Sequence, residues 1–224
     1  TPFFVIMHKA YLVITLLTIL FSNSIAQKKV TFLSSDSLEV TADLYLQNSN
    51  FPFIVLFHQA NYSRGEYKET AQKFINLGYN CLAVDLRSGK EVNFVQNETA
   101  QRAFDKGIET DYLSALPDME AAINYAFQKS KKRVVVLGSS YSASLSLFIA
   151  ATNHKVKAVI AYSPGEYFGE NLNIQNEASK IRKPSYIATS KREEQFARAV
   201  ATDIPKNFKT IFIPTNGNGV HGSR

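Results

Sequence analysis

Short apolar runs at residues 53–57, 81–86, 133–137, 156–162, 186–189 and 208–213 alternate with stretches of helical spacing at 67–77, 118–128, 141–151 and 194–201. This alternation restricts the fold more than any other feature. Brief, nearly continuous apolar runs suit strands buried on both faces, and the helical stretches supply the crossovers that parallel strands require. The pattern predicts a doubly wound, mostly parallel α/β sheet in three layers, α-β-α. Two alternating segments ahead of it, 30–34 and 38–46, predict a leading antiparallel hairpin, with Leu38, Val40, Ala42, Leu44 and Leu46 on one half-buried face. The polar segment 88–111 follows a strand at its C-terminal end and is longer than most connections. It reads either as an overhang of the site or as a surface excursion.

The N-terminus carries a targeting pattern. Met7, His8 and Lys9 precede an apolar run from Tyr11 to Phe21, and Ser24-Ile25-Ala26 puts small residues at −3 and −1 of a cleavage site. Residues 1–26 are therefore expected to be a signal peptide, residues 1–6 lying upstream of the start, and residues 27–224 a single exported domain, periplasmic or extracellular. The apolar run is shorter than the roughly 20 residues that span a bilayer, so no stable membrane anchor is expected after cleavage. Arg224 follows directly on the segment around His221, so the C-terminus reads as cut. Cys81 is the one cysteine, which excludes an intramolecular disulfide.

The formal charge is +6, but the basic residues are scattered. The densest run, residues 129–133, sits where cations suit a helix C-terminus. No nucleic-acid-binding motif accompanies it, and no nucleic-acid partner is expected.

Gly138-Ser139-Ser140-Tyr141-Ser142 follows an apolar strand and precedes a helical stretch. A sharp strand-to-helix turn with small residues two positions either side of a serine is the setting of a nucleophile elbow. Ser142 stands where such elbows mostly have glycine, and a Ser-rich turn also serves as an ordinary helix cap. Ser140 is the candidate nucleophile. His221, in a Gly/Asn-rich loop beyond the last strand, is the candidate base, because nucleophile, acid and histidine then follow in the order Ser, acid, His. The acid candidate is Glu193, just past strand 186–189. Glu194 reads as first-turn helix charge, and Glu166, after the preceding strand, is the rival.

Val55-Leu56-Phe57-His58-Gln59 followed by Ser63-Arg64-Gly65-Glu66-Tyr67, Gly78-Tyr79-Asn80 leading into Ala83-Val84-Asp85-Leu86-Arg87, the elbow, and Gly219-Val220-His221-Gly222 form a combination. With it the chain resembles the α/β-hydrolase superfamily and, within it, the dienelactone-hydrolase-like serine esterase branch. The resemblance covers nearly all of the chain after residue 26. It implies that Ser140 attacks the carbonyl of a small-molecule ester, that His221 takes and returns the proton, and that Glu193 orients the imidazole. Water then hydrolyses an acyl-enzyme, with no metal or organic cofactor. The backbone N–H groups of Gln59 and Tyr141 would form the oxyanion hole, with His58 packed beneath the loop.

There are two departures from that branch. Serine replaces the cysteine of dienelactone hydrolases proper, and the helix that usually follows the histidine is absent from the sequence, which implies an open sheet face near His221. A peptidase or amidase on the same scaffold and a non-catalytic exported binding protein are the competing readings. Arg64 and Arg87, just past strand ends, read either as clamps for a substrate carboxylate or as ion-pair partners.

Overall fold

The computed structural model describes residues 27–223, so the signal-peptide segment 1–26 and Arg224 lie outside the described residues. Strands β1 (Gln27–Leu33), β2 (Glu39–Tyr45), β3 (Phe53–Phe57), β4 (Asn80–Val84), β7 (Val134–Ser139), β8 (Val156–Tyr162), β9 (Ser185–Ala188) and β10 (Lys209–Phe212) form one sheet, and β5 (Glu91–Val92) and β6 (Val95–Gln96) a separate small hairpin. The sheet order is β1-β2-β4-β3-β7-β8-β9-β10. The β1–β2 and β2–β4 pairs are antiparallel and all others parallel. This is the α/β-hydrolase fold.

Period-2 alternation divides the core. Phe53, Val55 and Phe57 of β3, with Val134 and Val136 of β7, face helices α3 (Leu116–Ser130) and α4 (Tyr141–Thr152). Ile54, Leu56, Val135 and Leu137 point the other way, toward Ala71 and Ile75 of α1 (Lys68–Asn76). Each run is continuously apolar because each strand has a buried side on both faces. Beyond the cover of α1, an open groove of about 550 Å³ runs along the sheet, lined by Ile54, Val135, Ile160, Tyr186 and Phe208.

The chain leaves β3 toward β4 on one side and returns to β7 on the other. The order reverses between β3 and β7, and open α/β sheets bind ligands beyond the C-terminal strand ends at such a reversal.

Three features depart from the sequence reading. Strand β2 is not half-exposed: Thr41, Asp43 and Tyr45 on its second face are also buried. A helix within the polar segment covers it, α2 (Glu98–Asp105), whose Thr99 Oγ1 accepts the Thr41 N–H at 2.9 Å. Only Thr99 and Ala103 of α2 are buried, so the helix adds little apolar surface to the core despite its amphipathic spacing. A short helix α5 (Ile174–Ala178) lies outside the predicted elements, and the remaining α-helix is α6 (Glu194–Val200).

Candidate active site

Ser140 lies between β7 and α4 with φ 61° and ψ −126°, a conformation that costs a non-glycine residue about 1–3 kcal/mol and persists only where its surroundings enforce it. Two neighbours enforce it here. A Cβ on Gly138 would stand 2.3 Å from the Ser142 carbonyl oxygen, so only glycine lets strand and helix meet. Ser142 does more than stay small: its Oγ accepts the Ser139 N–H at 2.9 Å and lies 2.8 Å from the Phe57 carbonyl and 2.9 Å from that of Ser139. A serine at this position therefore stitches the elbow to the end of β3.

The loop after β10 carries His221 back over the rim of the sheet. It docks through the Lys191 N–H on the Asn218 carbonyl at 2.8 Å. Glu193 stands in the short turn between β9 and α6, and its Oε1 meets His221 Nδ1 at 2.5 Å. Its Oε2 accepts Ser163 Oγ at 2.9 Å, Ser190 Oγ at 2.9 Å and Thr189 Oγ1 at 3.3 Å. Burial pulls the Glu193 pKa up, but the hydrogen bonds from His221, Ser163 and Ser190 outweigh it and hold the carboxyl below its ordinary value. The rivals are engaged elsewhere. Glu166 receives the N–H groups of Ile174 and Gln175, each at 2.8 Å, at the start of α5. Glu194 pairs with Arg198 at 2.7 Å on an exposed helix face.

Ser163 was not singled out in the sequence, where it reads as one more small residue after a strand. It is 2% exposed and sits at φ 52°. Besides donating to Glu193, its Oγ accepts the Gly222 N–H at 3.0 Å, tying the acid to the backbone next to His221. The following loop is pinned to α4 by Ser144, whose Oγ accepts the Gly165 N–H at 2.9 Å and donates to the Gly165 carbonyl at 2.7 Å.

Ser140 and His221 share the rim, yet no hydrogen bond joins the Ser140 hydroxyl to the imidazole in this conformation. Tyr167 is the side chain nearest in influence to the hydroxyl: burial disfavours the ionised phenol and Ser140 favours it. Tyr167 gives its one proton to the Ser163 carbonyl at 3.0 Å. Burial raises the Tyr167 pKa.

The two oxyanion candidates differ. Tyr141 is the first residue of α4, and its N–H has no partner within the helix. The Gln59 N–H, in contrast, donates to Glu66 Oε2 at 2.9 Å, while Glu66 Oε1 accepts Ser223 Oγ at 2.7 Å. This amide is occupied because Glu66, one turn ahead of α1, folds its carboxylate under the loop. His58 is fully buried: Nδ1 is 2.8 Å from the Gln59 carbonyl, and Nε2 faces the Leu86 N–H at 2.9 Å and the Asn97 amide at 3.2 Å.

Arg64 and Arg87 face inward. Arg64 pairs with Asp43 at 3.1 Å, Asp85 at 2.5 Å and Glu98 at 2.9 Å. Arg87 pairs with Asp118 at 2.7 Å and Asp36 at 2.6 Å. Among the described residues, no group of three or more His, Cys, Asp or Glu is arranged to hold a metal ion.

An elbow serine, a carboxylate–histidine pair and a reversal of strand order at the same rim define a hydrolase of the α/β fold. The dienelactone hydrolase family profile matches residues 41–215, and the chain belongs to that family. It is 31% identical over 136 residues to the quorum-quenching protein AidA of Acinetobacter baumannii; the match covers 58% of this chain and 41% of that protein's length. A Pyrococcus furiosus esterase superposes with a TM-score of 0.62 at 15% identity, covering 85% of this chain and 81% of its own. A dienelactone hydrolase from Anabaena variabilis superposes with 0.64 at 15% identity, covering 86% and 87%. Similarity at that level speaks for the fold alone.

Proposed function

We propose that this protein is a serine carboxylic-ester hydrolase working through an acyl-enzyme. The observation that carries the reading is the 2.5 Å Glu193–His221 pair at the rim where Ser140 is held at φ 61°. With Glu193 on Nδ1, the other ring nitrogen, Nε2, is the base. Ser140 Oγ attacks the ester carbonyl carbon and its proton passes to Nε2. The resulting alkoxide oxygen receives the Tyr141 N–H, and the Gln59 N–H serves as second donor once Glu66 releases it. Losing such a donor costs a rate factor of about 10²–10³. His221 then protonates the departing alcohol, and water, deprotonated by the same nitrogen, cleaves the acyl-enzyme.

The reaction requires the Ser140 hydroxyl to hydrogen-bond to His221 Nε2, a contact not made in this conformation. Hydrogen bonds of this kind are often long or misaligned until substrate is bound. The missing Ser140–His221 contact favours the second reading, a binding protein of this fold without catalysis. A fluorophosphonate probe separates them: covalent labelling lost in Ser140→Ala supports the hydrolase, and an unlabelled, folded wild type supports the binding protein. Turnover of short 4-nitrophenyl esters but not of peptide amides distinguishes an esterase from a peptidase. We further propose that the protein acts outside the cytoplasm after loss of residues 1–26, which N-terminal sequencing of the mature protein tests.

A further inference from the structure

We propose that the ester this site takes carries no carboxylate on either arm, and that one arm is a compact apolar or aromatic group seated against Pro164, Tyr167 and Phe196. The inference rests on the ester-hydrolase reading and adds the class of substrate. Beside His221 and Glu193 lies a cleft of about 340 Å³ whose apolar wall is formed by those three residues. A cavity of about 150 Å³ accommodates benzene, so a ring with a short substituent fits. The wall is well supported: Tyr167 is held by its bond to the Ser163 carbonyl, and His221 and Glu193 line the same cleft, so a group on this wall adjoins the imidazole base. Phe196, half exposed on α6, presents its ring with no polar partner to satisfy.

The electrostatics argue against an anionic arm. The cleft is lined by two carboxylates, Glu166 and Glu193, and by no lysine or arginine. The arginines past the strand ends, which the sequence offered as clamps, are consumed. Arg64 spends its guanidinium on Asp43, Asp85, Glu98 and the Gln96 carbonyl, and Arg87 on Asp118 and Asp36, both side chains being over nine-tenths buried. Redirecting either to a substrate would strand buried carboxylates, which is strongly unfavourable. A carboxylate entering the cleft would meet like charge and lose its water without gaining a cationic partner.

Matched neutral and charged esters test this with the full-length enzyme: 4-nitrophenyl butyrate against 4-nitrophenyl hemisuccinate for the acyl arm, and phenyl acetate against 4-carboxyphenyl acetate for the alcohol arm. The charged member of each pair is expected to have a kcat/KM at least about tenfold lower, equivalent to roughly 1.4 kcal/mol. In Phe196→Ala, KM for the neutral aromatic ester should rise about fivefold with kcat little changed, since an exposed ring is not needed for folding. Charged members turned over as well as their neutral partners would overturn the substrate class while leaving the esterase intact. No turnover of any of the four, with Ser140 unlabelled, would overturn the esterase reading and this inference with it.

Discussion

Ser163 Oγ donates to Glu193 Oε2 at 2.9 Å while the same oxygen accepts the Gly222 N–H at 3.0 Å. One buried hydroxyl thus fixes both the carboxylate that orients the imidazole and the backbone beside the histidine that carries it. Ser163→Ala should lower kcat by up to about 10²-fold through misalignment, with KM nearly unchanged. It should also cost roughly 1–3 kcal/mol of stability, because the Gly222 N–H loses its partner in a buried position. Steady-state kinetics and urea unfolding check the two effects separately.

Gly222 has φ 82°, and a Cβ there would lie 2.2 Å from Gln59 Oε1 and 2.8 Å from Ser139 Oγ. Gly222→Ala should therefore displace the His221 loop and abolish most fluorophosphonate labelling of Ser140. The sheet, built without this loop, should keep its far-UV circular dichroism.

At Ser142, the residue that departs from the usual Gly-x-Ser-x-Gly form, glycine should not be an improvement. Ser142→Gly removes the bonds to the Ser139 N–H and the Phe57 carbonyl and should destabilise the protein by about 1–2 kcal/mol, part of it from added chain entropy. A midpoint equal to or above the wild type would count against the stitching role.

Burial lowers the His58 pKa from 6.5 to about 4, against the partly compensating backbone contacts with Gln59 and Leu86. The folded ring stays neutral where the unfolded one is protonated. Unfolding therefore takes up a proton between pH 6.5 and 4, and stability contributed by the neutral ring is complete above that window and is lost as pH falls through it. The loss amounts to at most roughly 3 kcal/mol. Urea unfolding at pH 7 and pH 4.5 should show this dependence, and His58→Asn should flatten it.

Arg87 neutralises Asp118, which is fully buried. Arg87→Met should destabilise by roughly 3–5 kcal/mol, the cost of an uncompensated buried charge. In the folded fraction, KM for a neutral ester should not change, which separates an internal ion pair from a substrate clamp.

Sequence alone determined the layered α/β sheet, the leading hairpin and the elbow at Ser140, because these depend on local spacing: apolar runs for buried strands, 3.6-residue periods for helices, and small residues where strand meets helix. The sequence put Glu193 ahead of Glu166 and Glu194 by position alone, without showing which carboxylate reaches the histidine. All three follow strands or open helices, and only the tertiary structure turns one toward His221 while giving the others to the start of α5 and to Arg198. Ser163, the occupied Gln59 amide and the inward arginines were likewise decided in three dimensions. Each role depends on partners far away in the chain, from Ser163 with Gly222 to Arg87 with Asp36 and Asp118, and hydrogen bonds across such separations leave no period in the sequence.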